Sequence, residues 1–129
     1  ERGEVVIFGY GDMALVAKHA AEALAVEGIR AVAVNPRWAK PLDEELILRL
    51  ARATGHVITI ENHMAAGGFG SAVLELLNAH DVRVPVKILG VCDAFIEHGS
   101  VAKLKELCGL TSDHVQAVAR TLVQTTVLR

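Results

Sequence analysis

The chain has 129 residues, 52% of them hydrophobic and 4% aromatic, and carries a net charge of −2. That is one domain's worth of chain, able to bury roughly two-thirds of its unfolded surface, and the interspersed charges leave no basic face for nucleic acid. No apolar run approaches the roughly 20 residues that span a bilayer, and Glu1-Arg2-Gly3 does not read as a signal peptide, so a soluble, cytosolic protein with reduced Cys92 and Cys108 and no membrane partner is expected.

Residues 4–8 read as a first strand, with Val5, Val6, Ile7 and Phe8 in succession, closed by Gly9-Tyr10-Gly11. Asp12 stands where a helix N-cap belongs. Met13, Val16, Ala17, Ala20, Ala21 and Leu24 then recur at helical spacing until Gly28 stops the helix, and His19 lies at its edge. Residues 29–34 form a second strand. The two prolines of residues 35–43 exclude helix and central strand, so this loop delivers Arg37, Trp38 and Lys40 to the carboxyl end of strand two. Arg37 offers a rigid fork of donors, suited to a carboxylate or phosphate, or to a structural salt bridge with an acid such as Glu61.

Asp43 caps a second helix over 44–53, with Leu46, Ile47, Leu50 and Ala51 facing inward, and Thr54-Gly55 ends it. Val57-Ile58-Thr59-Ile60 is a third strand. It leads through Glu61, Asn62 and His63 into a turn holding Gly67, Gly68 and Gly70, and then into a helix over 70–80 that presents Val73, Leu74 and Leu77. A fourth strand over 86–90 is followed by a loop over 91–99, a short helix capped by Ser100, and a last helix capped by Thr111. The order β-α-β-α-β-α-β-α-α describes a layered α/β domain with a mostly parallel sheet and right-handed crossovers.

A glycine turn that opens a helix can bind an anion, because its first N–H groups are free. Here neither the dinucleotide nor the P-loop fingerprint is complete, so Gly67, Gly68 and Gly70 read as positions for tight turning and close helix packing. Ser71 lies in no nucleophile elbow and reads as a helix-start serine. No H-E-x-x-H and no Cys/His cluster points to a metal site. Glu61, His63, Asp93 and His98 fall on loops of one rim, where they could form an acid/base pair or seat the domain against another.

Three blocks together resemble the C-terminal domain of the transketolase-like, thiamine-diphosphate-dependent enzymes. They are Arg37-Trp38-Ala39-Lys40-Pro41-Leu42-Asp43, Glu61 with Gly67-Gly68-Phe69-Gly70-Ser71, and Asp93-Ala94-Phe95-Ile96-Glu97-His98-Gly99 with Gly109-Leu110. The Lys40 to Asp43 run and the Gly-Gly-x-Gly-Ser turn most resemble the branch that condenses pyruvate with glyceraldehyde 3-phosphate, losing CO₂. A transketolase proper and the β subunit of a pyruvate dehydrogenase are related alternatives.

The resemblance implies that residues 1–129 are one domain of a larger enzyme, inactive alone, with a three-layer α/β/α fold. It further implies a five-stranded mixed sheet whose first strand is antiparallel to the rest. Thiamine diphosphate and magnesium would be held by the N-terminal domain, and the cofactor-activating glutamate by the middle domain. Those two domains and a second subunit of a homodimer are the implied partners. Arg37, Lys40, Glu61, His63, Gly67, Gly68, Gly70, Ser71, Asp93 and His98 are the implied rim or interface residues, and none is catalytic or cofactor-binding. Two positions depart from the family pattern: Asn62 stands where a second acid is common, and Ala94 where a base is common.

Overall fold

In the computed structural model, which describes residues 3–94 and 96–127, strands and helices alternate. The order is β1 (Val5–Gly9), α1 (Met13–Val26), β2 (Ala31–Val34), α2 (Glu44–Thr54), β3 (Val57–Met64), α3 (Phe69–Ala79), β4 (Val86–Val91), α4 (Val101–Leu107) and α5 (Ser112–Val127). The sheet runs β2-β1-β3-β4, and every neighbouring pair is parallel. All five residues of β1 are buried, as expected for a central parallel strand covered on both faces.

Alternation along the strands sends side chains into two cores. Val5, Ile7, Ile58 and Ile60 pack under α1 and α5, against Met13, Leu24, Val115 and Ala119. Val6, Phe8 and Val57 pack under α2 and α3, against Ile47, Ala51, Val73 and Leu77. The three-layer α/β/α arrangement follows.

The mixed five-stranded sheet is corrected. Among the described residues there are four strands, and the first is parallel to its neighbours. Its connection to β2 runs through α1, which carries the chain back to the starting edge, so the two strands point the same way.

Sequence and structure differ at several further points. β3 continues through Met64, with a register shift between Ile60 and Met64, so Glu61 and His63 lie on a strand and not on a loop. Asp12 makes no side-chain cap on α1, whereas Asp43, Ser100 and Thr111 each accept a backbone N–H as expected. On α3 the inward residues are Phe69, Val73, Leu76 and Leu77, while Leu74 remains 46% exposed. α4 buries none of its residues.

The amino edge of the sheet is closed by His56. Its Nδ1 donates to the Glu4 carbonyl oxygen at 2.7 Å, and its Nε2 bonds the Thr126 hydroxyl at 2.6 Å, tying β1, β3 and α5 together.

Candidate functional site at the carboxyl rim

A sheet of order 2-1-3-4 reverses its winding between β1 and β3, and the crevice outside that reversal is where open α/β sheets place their sites. Here it is built by Tyr10 at the end of β1 and by Glu61 and His63 of β3. Tyr10 stacks on Phe69 with ring centres 5.1 Å apart and planes at 7°, and His63 lies 5.5 Å from Tyr10 at 52°.

Glu61 is fully buried, and its carboxylate is spent on the chain itself. Oε2 accepts the Phe69 amide at 2.7 Å and Oε1 accepts the Gly70 amide at 3.0 Å. These are among the otherwise unpaired N–H groups at the start of α3, so the end of one strand caps the helix that follows it. His63 Nδ1 stands 3.4 Å from the same carboxylate, a long contact, with its side chain 59% exposed. The salt bridge weighed between Arg37 and Glu61 is not formed.

The glycines serve this arrangement. A Cβ on Gly68 would meet the Glu61 carboxylate and the Met64 carbonyl oxygen, the latter at 2.8 Å. One on Gly70 would meet Thr59 Oγ1, and Ile88 Cγ2 at 2.6 Å. Gly67 takes φ +74° in open space, where its role is the turn alone. Ser71 staples the loop: its hydroxyl donates to the Ala65 carbonyl oxygen at 3.2 Å and accepts the Gly67 amide at 3.0 Å. Thr59 Oγ1, pressed against Gly70, is buried without a hydrogen-bond partner among the described residues.

Glu61, His63, Gly67, Gly68, Gly70 and Ser71 are thus brought together, and the other expected rim residues are not. Arg37 and Lys40 follow β2 at one edge, exposed, while Asp93 and His98 follow β4 at the other, also exposed. Three strand spacings, about 14 Å, separate the two edges. His98 shares a cavity of about 360 Å³ with Asn62, Ile96, Leu104, Lys105 and Cys108. Phe95, quoted with Asp93 and His98, lies outside the described residues.

Sequence reasoning missed the link across the rim. Lys105 Nζ of α4 donates to Asp12 Oδ2 at 2.8 Å, and Asn62 Nδ2 approaches the same oxygen at 3.4 Å. The hydrogen bond from Lys105 holds the Asp12 carboxyl below its ordinary value of 3.8, against a smaller opposing effect of burial. The pair is 93 residues apart, and nothing in the local sequence signals it. The Tyr10–Phe69 stack had one cue, an aromatic residue set between two glycines at a strand end.

The residues present do not fit a diphosphate. The N–H groups of Phe69 and Gly70 already serve a buried carboxylate, and a second anion there would face Glu61 across a few ångströms in a poorly solvated place. Among the described residues, no group of three or more His, Cys, Asp or Glu side chains could hold a metal ion.

Residues 1–115 match the family model described as "Transketolase, C-terminal domain". The 1-deoxy-D-xylulose-5-phosphate synthase of Heliobacterium modesticaldum is 50% identical over 119 residues, 92% of this chain and 18% of that protein. The synthase of the same name from Symbiobacterium thermophilum is 46% identical over 123 residues, 95% of this chain and 19% of that protein. The chain therefore spans about a fifth of the length of these relatives. Among solved structures, one described as a split gene transketolase, inactive β4 tetramer, superposes with a TM-score of 0.88 at 40% identity, covering 96% of this chain and 40% of that one. A mutant transketolase from Pichia stipitis, 15% identical, shares the fold with a TM-score of 0.61, covering 97% of this chain and 17% of that one. By its sequence match and by its fold, the chain belongs to the transketolase C-terminal domain family.

Proposed function

We propose that this chain is the C-terminal domain of a 1-deoxy-D-xylulose-5-phosphate synthase, acting there as a structural domain with no turnover of its own. The observation that carries the reading is the 50% identity to a synthase of that name over 92% of the chain. The complete enzyme would condense pyruvate with glyceraldehyde 3-phosphate and release CO₂, with thiamine diphosphate supplying the carbanion sink when bound to the other domains. The work of this domain is to present a formed rim to its neighbours, as one part of a cytosolic homodimer.

In this reading Gly67, Gly68, Gly70 and Ser71 shape the rim around the Glu61 cap. Arg37, Lys40, His63, Asp93 and His98, all exposed, are its docking contacts. Supporting it over an anion- or nucleotide-binding module is the occupied start of α3, whose leading amides are taken by Glu61.

The isolated chain, given pyruvate, glyceraldehyde 3-phosphate, thiamine diphosphate and magnesium, should give no product and no heat of cofactor binding. Saturable thiamine diphosphate affinity of the isolated chain overturns the reading.

A second reading, the C-terminal domain of a transketolase proper, draws support from the 40% identity and close superposition on the split-gene subunit. Assay of the complete polypeptide separates the two: a synthase consumes pyruvate and releases CO₂, whereas a transketolase moves a two-carbon unit between sugar phosphates.

A further inference from the structure

The connection between β2 and α2 carries a combination of features that the fold itself does not use. Arg37 holds φ at +59°, in the left-handed region that a residue with a Cβ seldom adopts. Local bonds keep the bend: Asn35 Oδ1 accepts the Arg37 amide at 3.1 Å, and the Trp38 amide donates to the Pro36 carbonyl oxygen at 2.7 Å. Ala39 and Leu42 then pack inward on the α2/α3 core, which leaves the loop anchored from one side. What the bend displays is the chain's single tryptophan, with 68% of Trp38 open to solvent. On either side of it, the exposed Arg37 and Lys40 side chains form no ion pair with any described residue.

We propose that this loop is the anchor holding the domain to the rest of a longer polypeptide, with Trp38 entering an apolar pocket on that polypeptide and Arg37 and Lys40 meeting carboxylates at the pocket's mouth. The proposal rests on the reading of the chain as the C-terminal domain of a synthase. It names which part of the rim bears the load and which occupant it takes. Roughly four-fifths of each related synthase lies outside the matched domain, and that is the surface available to receive the loop. Tryptophan and arginine are the residues most enriched where binding energy concentrates, and unpaired cations call for acidic groups opposite them. The loop also follows the outermost strand, so the exposed Trp38 stands at an edge of the sheet's carboxyl rim, a position suited to another protein surface.

The test uses the complete polypeptide, followed by calorimetry and by limited proteolysis at the junction of this domain with the preceding one. Wild type is expected to melt in one transition with a protected junction. Trp38→Ala should split the transition in two and open the junction to cleavage, while Trp38→Phe restores coupling. Val26→Ala, which trims another exposed apolar side chain far from the loop, should leave the single transition intact.

Arg37→Gly separates docking from folding, because glycine accepts the +59° bend without strain. The isolated domain should melt higher while the complete polypeptide loses coupling. Coupling unchanged in Trp38→Ala overturns the proposal, and so does a wild type in which this domain already melts alone. Self-association of the 129-residue chain that Trp38→Ala abolishes would assign the loop to a second copy, and that too overturns it. Thiamine diphosphate binding by the complete polypeptide is measured alongside: its loss in the wild type refutes the synthase reading, whereas retained binding with unchanged coupling refutes the anchor alone.

Discussion

The Glu61 carboxylate receives the Phe69 amide at 2.7 Å, so a residue of β3 caps α3 from across the glycine turn. Glu61→Ala leaves two buried N–H groups without partners and should cost about 2–4 kcal/mol, the sum of a lost cap and buried unpaired donors. Glu61→Gln retains one acceptor oxygen and should cost about half as much. Urea unfolding of the three proteins checks the order, and equal stability of all three would contradict it.

Gly70 and Gly67 should respond to alanine for different reasons. At Gly70 the new methyl meets Ile88 Cγ2 and Thr59 Oγ1, and overpacking should cost about 1–3 kcal/mol or more. At Gly67 there is room, and only the positive φ is strained, so about 1 kcal/mol is expected. Melting temperatures should fall in the order wild type, Gly67→Ala, Gly70→Ala.

Thr59 is a case where removing a polar atom should help. Its hydroxyl is buried without a partner among the described residues. Thr59→Val keeps the shape and replaces the hydroxyl with a methyl, so stability should rise by about 1 kcal/mol. A loss of more than about 1 kcal/mol would mean that the hydroxyl has a partner in solution.

Asp12 and Lys105 make a pH-dependent attachment for α4, a helix that buries no residue. The folded carboxyl titrates below its ordinary 3.8, so its contribution is complete above that value and is lost as pH falls through the lower folded value. Both side chains are partly exposed, so salt should weaken the pair. Protection of the amides of residues 101–107, measured relative to their intrinsic exchange rates, should fall in Asp12→Asn, in high salt, and in wild type as pH drops through the lowered value of the folded carboxyl. The amides of β1, buried at the centre of the sheet, should not follow.

Most of the element order is legible from short-range signals. The β-branched run Val57 to Ile60 and the caps at Asp43, Ser100 and Thr111 each act within a few residues, and all are realised. Longer-range effects are not legible in this way. Leu74 and Leu76 are both compatible with a helical stripe, and only the approach of Phe69 and Val73 to the α2/α3 core turns Leu76 inward. The polar run Glu61 to Met64 lacks a strand pattern, yet β3 continues through it past a register shift until Met64 pairs with Val91 of β4. Glu61 invites the reading of a surface acid, since no acidic residue lies within three positions of the helix start and the one that caps α3 comes from the preceding strand. The layered α/β arrangement already follows from the order of elements, and the family likeness added the domain's place within a larger enzyme. It also brought an extra antiparallel strand that the described residues do not contain.

Among the described residues β2 has a strand neighbour on one side only, and it is short and uncharged, reading Ala-Val-Ala-Val. Its outward amides and carbonyls form an open zipper tooth-row to which any extended peptide can add itself, and neither a lysine nor a proline within the strand blunts it. Concentrated solutions of the isolated chain should therefore age by lateral strand addition along this border. Ala33→Lys, at the exposed position of the strand, should keep them clear.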